Sequence, residues 1–84
     1  MDNKVLVSLI IPQIDYQSDV YLPINKRIGN IILLIVKSMN EVSNKDSQID
    51  KNCALYNRDT LEKYSSNDLV YNTTIRNGTT LILM

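Results

Sequence analysis

The most regular hydrophobic pattern in the chain lies between Asn25 and Val42, where apolar residues recur at spacings of three and four. This spacing places them on one side of an α-helix. The helix is expected to begin near Lys26 with Asn25 as its N-cap, because an asparagine side chain can accept a hydrogen bond from a first-turn amide. This apolar stripe must pack against a sheet to be buried. It consists of Ile28, Ile31, Ile32, Ile35, Val36, Met39 and Val42.

Two strands are predicted before this helix. The run from Val5 to Ile11 is apolar at all but one position and rich in β-branched residues, which is typical of a buried central strand. Polar residues and a proline interrupt the pattern at 12–18, and Val20, Leu22 and Ile24 then alternate with a period of two. The two strands are expected to form a hairpin.

Three shorter strands are predicted after the helix. Residues 43–52 are mostly small, polar or charged, as in an exposed loop. The segments 53–56 and 61–64 lie on either side of four turn-forming residues and are expected to form a second hairpin. Asn77-Gly78 is a strong turn signal just before a final strand at 79–84.

This order of elements predicts the β-grasp architecture of the α+β class, in which a single helix packs across one mixed sheet. The first and last strands are expected to lie side by side at the centre, since both are more apolar than an edge strand. Residues 1–84 are expected to form one domain, because this length supplies a single core without room for a large substrate cavity.

Composition narrows the function classes. Nine basic and nine acidic residues give a formal net charge of zero, which argues against nucleic-acid binding. The chain has no histidine and a single cysteine, Cys53, so no ordinary metal or haem constellation and no internal disulfide is expected. No cofactor and no enzymatic activity are therefore predicted, and Cys53 is expected to be a structural thiol.

The N-terminal apolar run is too short to act as a signal peptide or to insert in a membrane, because Pro12, Gln13 and Asp15 interrupt it. Together with the lone cysteine, this predicts a cytoplasmic protein in a reducing compartment.

A candidate binding surface follows from strand alternation. If Val7, Leu9, Ala54, Tyr56 and Leu81 face the helix, then the intervening residues point to the opposite face of the sheet, where no second helix is available. Clusters of exposed apolar side chains mark interaction sites, although twist or the long loop could cover part of this patch. The predicted protein-binding residues on this face are Leu6, Leu55, Ile82 and Met84, with Ile10 beside them.

Leu33 and Leu34 lie off the main apolar stripe of the helix. They either form a second protein contact surface or flank the stripe and pack against strand edges or the long loop. Each exposed aliphatic side chain forgoes roughly 1.5–3 kcal/mol of possible burial.

The chain resembles ubiquitin and, more closely, the small bacterial ubiquitin-like proteins of the YukD/EsaB type, which belong to type VII (Ess/Yuk) secretion loci. The resemblance extends from Val5 to Met84. It rests on the stretches DVYLPINKRIGNIILLIV and ALYNRDTL and on the ending I-x-N-G-T-T-L-I-L formed by Ile75 to Leu83.

The resemblance implies a cytoplasmic, non-conjugated accessory protein that docks on the secretion machinery, at its ATPase or another membrane component. A weak homodimer through the apolar sheet face is a second expectation. A sulfur-carrier or modifier role is disfavoured because the chain stops at Met84 without a Gly-Gly ending. A free-standing regulatory adaptor would have the same fold and surface, and the sequence does not separate it from a secretion accessory.

Overall fold

A computed structural model describes residues 3–42 and 52–84 as a mixed sheet with one α-helix across one face. The strands are β1 (Lys4–Ile11), β2 (Tyr16–Pro23), β3 (Leu55–Asn57) and β4 (Thr80–Leu83), and the helix is α1 (Ile28–Val42). Short 3-10 helices cover Pro12–Ile14 and Val70–Asn72. No described helix is long and apolar enough to cross a bilayer.

The sheet order is β2-β1-β4-β3. Strand β1 is antiparallel to β2 and parallel to β4, and β3 is antiparallel to β4. The two most apolar strands, β1 and β4, therefore lie side by side at the centre, and β2 and β3 form the edges. This arrangement confirms the predicted β-grasp fold of the α+β class.

The core lies between α1 and the inner face of the sheet. The predicted helical stripe is confirmed, since Ile28, Ile31, Ile32 and Val36 are buried and Ile35 and Met39 pack against the core. The side chain of Val42 is not among those that the structure describes. On the sheet side, the core is built from Val7, Leu9, Ile11, Leu22, Leu55, Leu81 and Leu83.

The predicted start of the helix was wrong. Helix α1 begins at Ile28, and the carbonyl of Arg27 accepts its first intrahelical hydrogen bond from Ile31. The amides of Ile28 and Gly29 donate instead to the carbonyls of Asp68, at 2.8 Å, and Ser66, at 2.9 Å. Because a distant backbone segment satisfies these first-turn donors, Asn25 is not the N-cap.

Strand β2 begins earlier than predicted, at Tyr16. A single 3-10 turn follows β1, and Asp15 then adopts a left-handed conformation with φ of 52°. This compact reversal lets Tyr16 pair directly with Ile11, so the polar residues 16–19 enter the strand.

The second predicted hairpin was wrong for the segment 61–64. Leu61 has a left-handed backbone, with φ of 62°, which an extended strand cannot contain. Its amide donates to the Asn57 carbonyl, and pairing with β3 is reduced to one bridge between Tyr56 and Lys63. The loop predicted at 43–52 lies outside the described residues except for Asn52.

The predicted orientation of β3 was also wrong. Leu55 is fully buried on the inner face, opposite Leu83, whereas Ala54 and Tyr56 belong to the outer face. The physical reason is Asn57, whose side-chain oxygen accepts hydrogen bonds from the amides of Asp59, at 2.8 Å, and Thr60, at 3.2 Å.

The Asn57 side chain points inward, since its amide also donates to the buried Tyr64 hydroxyl at 3.2 Å. That hydroxyl bonds in turn to the Thr74 hydroxyl at 2.9 Å. Since side chains alternate along a strand, an inward Asn57 places Leu55 inside and Tyr56 outside.

Candidate functional site

An apolar cluster lies on the outer face of the sheet, opposite the helix. Ile82 pairs with Ile10 of β1 on one side and with Tyr56 of β3 on the other, so these three residues form one row across the three strands. Met84 follows two positions after Ile82 on the same face and is 59% exposed, while the other three are half-buried. We call Ile10, Tyr56, Ile82 and Met84 the outer cluster.

The structure separates Leu6 from this cluster. Leu6 is 37% exposed and pairs with the exposed Tyr21. It lies four positions before Ile10 along β1, a distance of about 13 Å. The row between them is polar, because Ser8 pairs with Asp19 on one side and with Thr80 on the other.

Of the four sheet residues predicted from the sequence, Ile82 and Met84 therefore lie together, Leu6 lies apart and Leu55 is inside the core. The buried position of Leu55 corrects the expectation that it belongs to an exposed binding face. Tyr56 takes its place in the cluster. The sequence feature that indicates Tyr56 instead of Leu55 on the outer face is the turn Asn57-Arg58-Asp59-Thr60. Asparagine is favoured at the start of such a turn because its side chain accepts a hydrogen bond from the backbone amide two residues later.

Charged residues border the outer cluster at its β3 end. Lys63 pairs with Tyr56 at the β3 edge and is exposed. Arg58 continues the outer-face alternation of β3 and forms an ion pair with Asp59 at 3.7 Å, in which both side chains remain largely exposed. On the β2 side, Ile10 pairs with the uncharged Gln17. The cluster is thus an apolar row with basic residues at its β3 end.

The aliphatic, thioether and phenol side chains of the outer cluster form an apolar patch on the surface. Binding of a partner over the cluster would gain a free energy of about 25 cal/mol for each Å² of apolar area removed from water. The single cysteine, Cys53, is half-buried. Among residues 3–42 and 52–84, no group of three or more His, Cys, Asp or Glu side chains is placed to hold a metal ion.

The helix residues predicted as a second surface are exposed, Leu33 by 57% and Leu34 by 53%. Most of each side chain is therefore in solvent, and Leu34 also lines a groove between α1 and β2, beside Val20 and Leu22. Leu33 and Leu34 both line a shallow pocket with Lys26, Asn30 and Lys37, on the side of the helix away from the outer cluster.

No family model matches the chain, and no curated protein matches it in sequence. Solved structures match it in shape. The N-terminal ubiquitin-like domain of the 4931431F19Rik protein is 19% identical, with a TM-score of 0.71 over 100% of this chain and 76% of that one.

Two further matches come from a type VII secretion system protein and from an inner membrane complex. The ubiquitin-like domain of the type VII secretion system protein ECCD1 of Mycobacterium tuberculosis is 12% identical, with a TM-score of 0.61 over 96% of this chain and 97% of that one. A chain of the MycP5-free ESX-5 inner membrane complex is 13% identical, with a TM-score of 0.69. The match covers 98% of this chain but 21% of the ESX-5 chain. At these identities the likeness establishes a ubiquitin-like fold.

Proposed function

We propose that this protein is a non-catalytic ubiquitin-like accessory of a type VII secretion system, similar to the YukD/EsaB type. In this proposal it acts in the cytoplasm and docks on the membrane machinery, at its ATPase or another component. The docking surface is the outer cluster, and the observation that carries the proposal is the apolar row from Ile10 through Ile82 to Tyr56.

The position of the outer cluster supports a docking role. It lies on the face of the sheet opposite α1, and Met84 is more than half exposed at its end. Partly exposed apolar side chains grouped in this way are typical of protein contact sites, whereas isolated ones are common on any surface. Basic residues at the β3 end, Lys63 and Arg58, would favour a partner with acidic residues beside its apolar contact.

The comparisons support the secretion part of the proposal. The ECCD1 domain is part of a type VII secretion system protein, and the ESX-5 chain belongs to an inner membrane complex. A domain of the same fold thus occurs within a type VII secretion system protein, and this chain would supply a comparable domain as a docking partner. Because one fold serves many functions, the test has to identify the partner.

The test is affinity purification of the tagged protein from its native host, with the bound proteins identified by mass spectrometry. Wild type is compared with Met84→Asp and with the matched control Leu33→Asp. Met84 and Leu33 are 59% and 57% exposed, so an aspartate at either position remains hydrated and leaves the fold intact. Only Met84 lies in the outer cluster.

We expect wild type and Leu33→Asp to recover a component of the secretion machinery, and Met84→Asp to lose it. Recovery of the same component by all three proteins would refute the outer cluster as the docking surface. Recovery of no secretion component by wild type would refute the secretion role. A concentration-dependent dimer lost in Met84→Asp would instead assign the cluster to self-association.

A further inference from the structure

The side of α1 that faces solvent carries two leucines that the fold leaves more than half exposed, Leu33 and Leu34. Leu33 lines two shallow pockets that adjoin along this side of the helix, one with Lys26 and the other with Glu41. At about 100° per residue, the helical residues of this side lie within roughly 100° of the circumference. We call the following exposed residues the helix face: Lys26, Asn30, Leu33, Leu34, Lys37 and Glu41.

The charges at the two ends of the helix face have the wrong sign for their own helix. Lys26 lies beside the positive N-terminal end of α1, and Glu41 lies in its last turn, at the negative end. Both side chains are exposed. Within the described part of the chain, neither side chain forms an ion pair. This arrangement disfavours the isolated helix, and it matches a second helix that runs in the opposite direction.

A second copy of α1, packed antiparallel against the first, supplies that match. A two-fold axis that passes between Leu33 and Leu34 places each leucine against the other leucine of the second copy. The same axis brings Lys26 opposite Glu41 of the second copy, since the two residues lie equal numbers of positions from the axis. Each charge then also lies beside the helix end of the second copy that carries the opposite partial charge. The three opposed pairs are Leu33 with Leu34, Lys26 with Glu41, and Asn30 with Lys37.

From this symmetry we infer that the helix face binds the helix face of a second copy, in a two-fold symmetric homodimer with antiparallel α1 helices. A parallel pair is disfavoured, because it would place Lys26 opposite Lys26 and Glu41 opposite Glu41. A partner of another sequence would have to supply the complementary pattern, whereas this helix face is complementary to itself. The interface is separate from the outer cluster, which lies on the face of the sheet opposite α1.

The size of the helix face predicts a weak dimer. Helix α1 has 15 residues and is therefore about 22 Å long. A contact limited to one such helix per copy is smaller than the interfaces of stable complexes, which bury at least about 1,200 Å² in total. The leucines supply most of the affinity, because exposed ion pairs contribute little and are screened by salt. The charges fix the antiparallel direction and the register.

The test is sedimentation equilibrium of the full chain at low salt, from micromolar to millimolar concentration. We expect a monomer–dimer equilibrium for wild type. Lys26→Glu and Glu41→Lys should each raise the dissociation constant about three- to tenfold, since each turns two attractive contacts into two repulsive ones. Lys63→Glu alters the net charge as much as Lys26→Glu, at an exposed site outside the helix face, and should leave the dissociation constant unchanged.

A mixture of the two charge variants isolates the register. The Lys26→Glu copy is acidic at both ends of its helix face, and the Glu41→Lys copy is basic at both ends. An equimolar mixture should therefore form a heterodimer more tightly than either variant pairs with itself. The double variant Lys26→Glu/Glu41→Lys should dimerise more tightly than either single variant, because its charges are exchanged but remain complementary.

The same proteins provide a control for folding. Each single charge substitution places a charge of favourable sign at its own helix end. The melting temperature, measured at micromolar concentration where the monomer dominates, should therefore stay unchanged or rise while the dimer weakens. Leu33→Asp should abolish the dimer, and the similarly exposed outer-cluster variant Met84→Asp should retain it.

Weaker self-association of both charge variants, with a heterodimer in their mixture, would support the antiparallel dimer. A monomer at every concentration would overturn it. A dimer that Met84→Asp disrupts and Leu33→Asp does not would also overturn it. Weaker self-association of the two variants without a heterodimer would overturn the register. Docking on the outer cluster does not require this dimer, so the failure of either hypothesis leaves the other intact.

Discussion

The orientation of β3 predicts that two neighbouring residues respond very differently to the same substitution. Leu55 is fully buried between the sheet and the helix, opposite Leu83, whereas Tyr56 lies half-buried on the outer face. We consider Leu55→Thr and Tyr56→Thr, because threonine is small, suits a strand and carries one hydroxyl. The comparison therefore isolates the environment of each position.

Leu55→Thr should lower the free energy of unfolding by about 4 kcal/mol. Loss of a buried leucine side chain costs about 2–5 kcal/mol, and the hydroxyl would lie among apolar neighbours without a partner, for about 1–3 kcal/mol more. Tyr56→Thr should cost about 1 kcal/mol or less, the usual range for a cross-strand pair such as Tyr56 with Ile82. A chain of 84 residues has a total stability of about 4–13 kcal/mol, so the first variant should be close to unfolding.

The assay is urea unfolding followed by circular dichroism, with a thermal scan as a second measurement. For a domain of this size, each kcal/mol lowers the melting temperature by roughly 4–8 °C, so the two variants should differ by at least about 12 °C. Equal destabilisation, or a larger loss for Tyr56→Thr, would refute the described orientation of β3. It would also restore Leu55 as a candidate for the exposed binding face.

Two further predictions concern the turn that follows β3 and the turn that precedes β4. Asn57→Ala should cost about 2–3 kcal/mol in urea unfolding, because the Asp59 amide, the Thr60 amide and the buried Tyr64 hydroxyl all lose a partner; a loss below about 0.5 kcal/mol would contradict this role. Gly78→Ala should cost about 1 kcal/mol in the same assay, since Gly78 has φ of +91° and an added Cβ meets nothing within 4 Å, which leaves backbone strain as the whole effect. Unchanged stability in Gly78→Ala would show that the turn relaxes to another conformation.

The parts of the fold that could be predicted from the sequence are those with a long, repeated hydrophobic pattern. Seven apolar positions define the helix stripe, and the run from Val5 to Ile11 is sufficient to identify a buried central strand. Side-chain alternation along β1 and β4 correctly placed Ile10, Ile82 and Met84 on the outer face. Over such lengths, each residue reinforces the same assignment.

Short elements carry too little pattern for this kind of inference. Strand β3 has three residues, and Leu55 and Tyr56 are both apolar, so periodicity alone does not decide which faces inward. The deciding contact joins Asn57 to Tyr64, seven residues away, through a loop that is not a strand. This contact cannot be predicted from the sequence pattern, because it forms only when the loop folds back on β3.

The helix start and the β2 groove depend on contacts between distant segments. The first-turn amides of α1 bond to the carbonyls of Ser66 and Asp68, a partnership that no local capping rule predicts. Leu34 was identified as an apolar residue off the main stripe, but its position beside Val20 and Leu22 requires the packing of α1 against β2. The candidate residues could thus be named from the sequence more readily than their grouping into surfaces.

The most direct test of the docking role is site-specific photo-crosslinking in the native host, with benzoylphenylalanine in place of Tyr56. Its ring resembles tyrosine and lies in the row with Ile82 and Ile10, so a protein on the outer cluster comes within reach. We predict a covalent adduct with a component of the secretion machinery, and no such adduct from the same substitution at Leu33. An adduct with that component from Leu33 and none from Tyr56 would contradict the account.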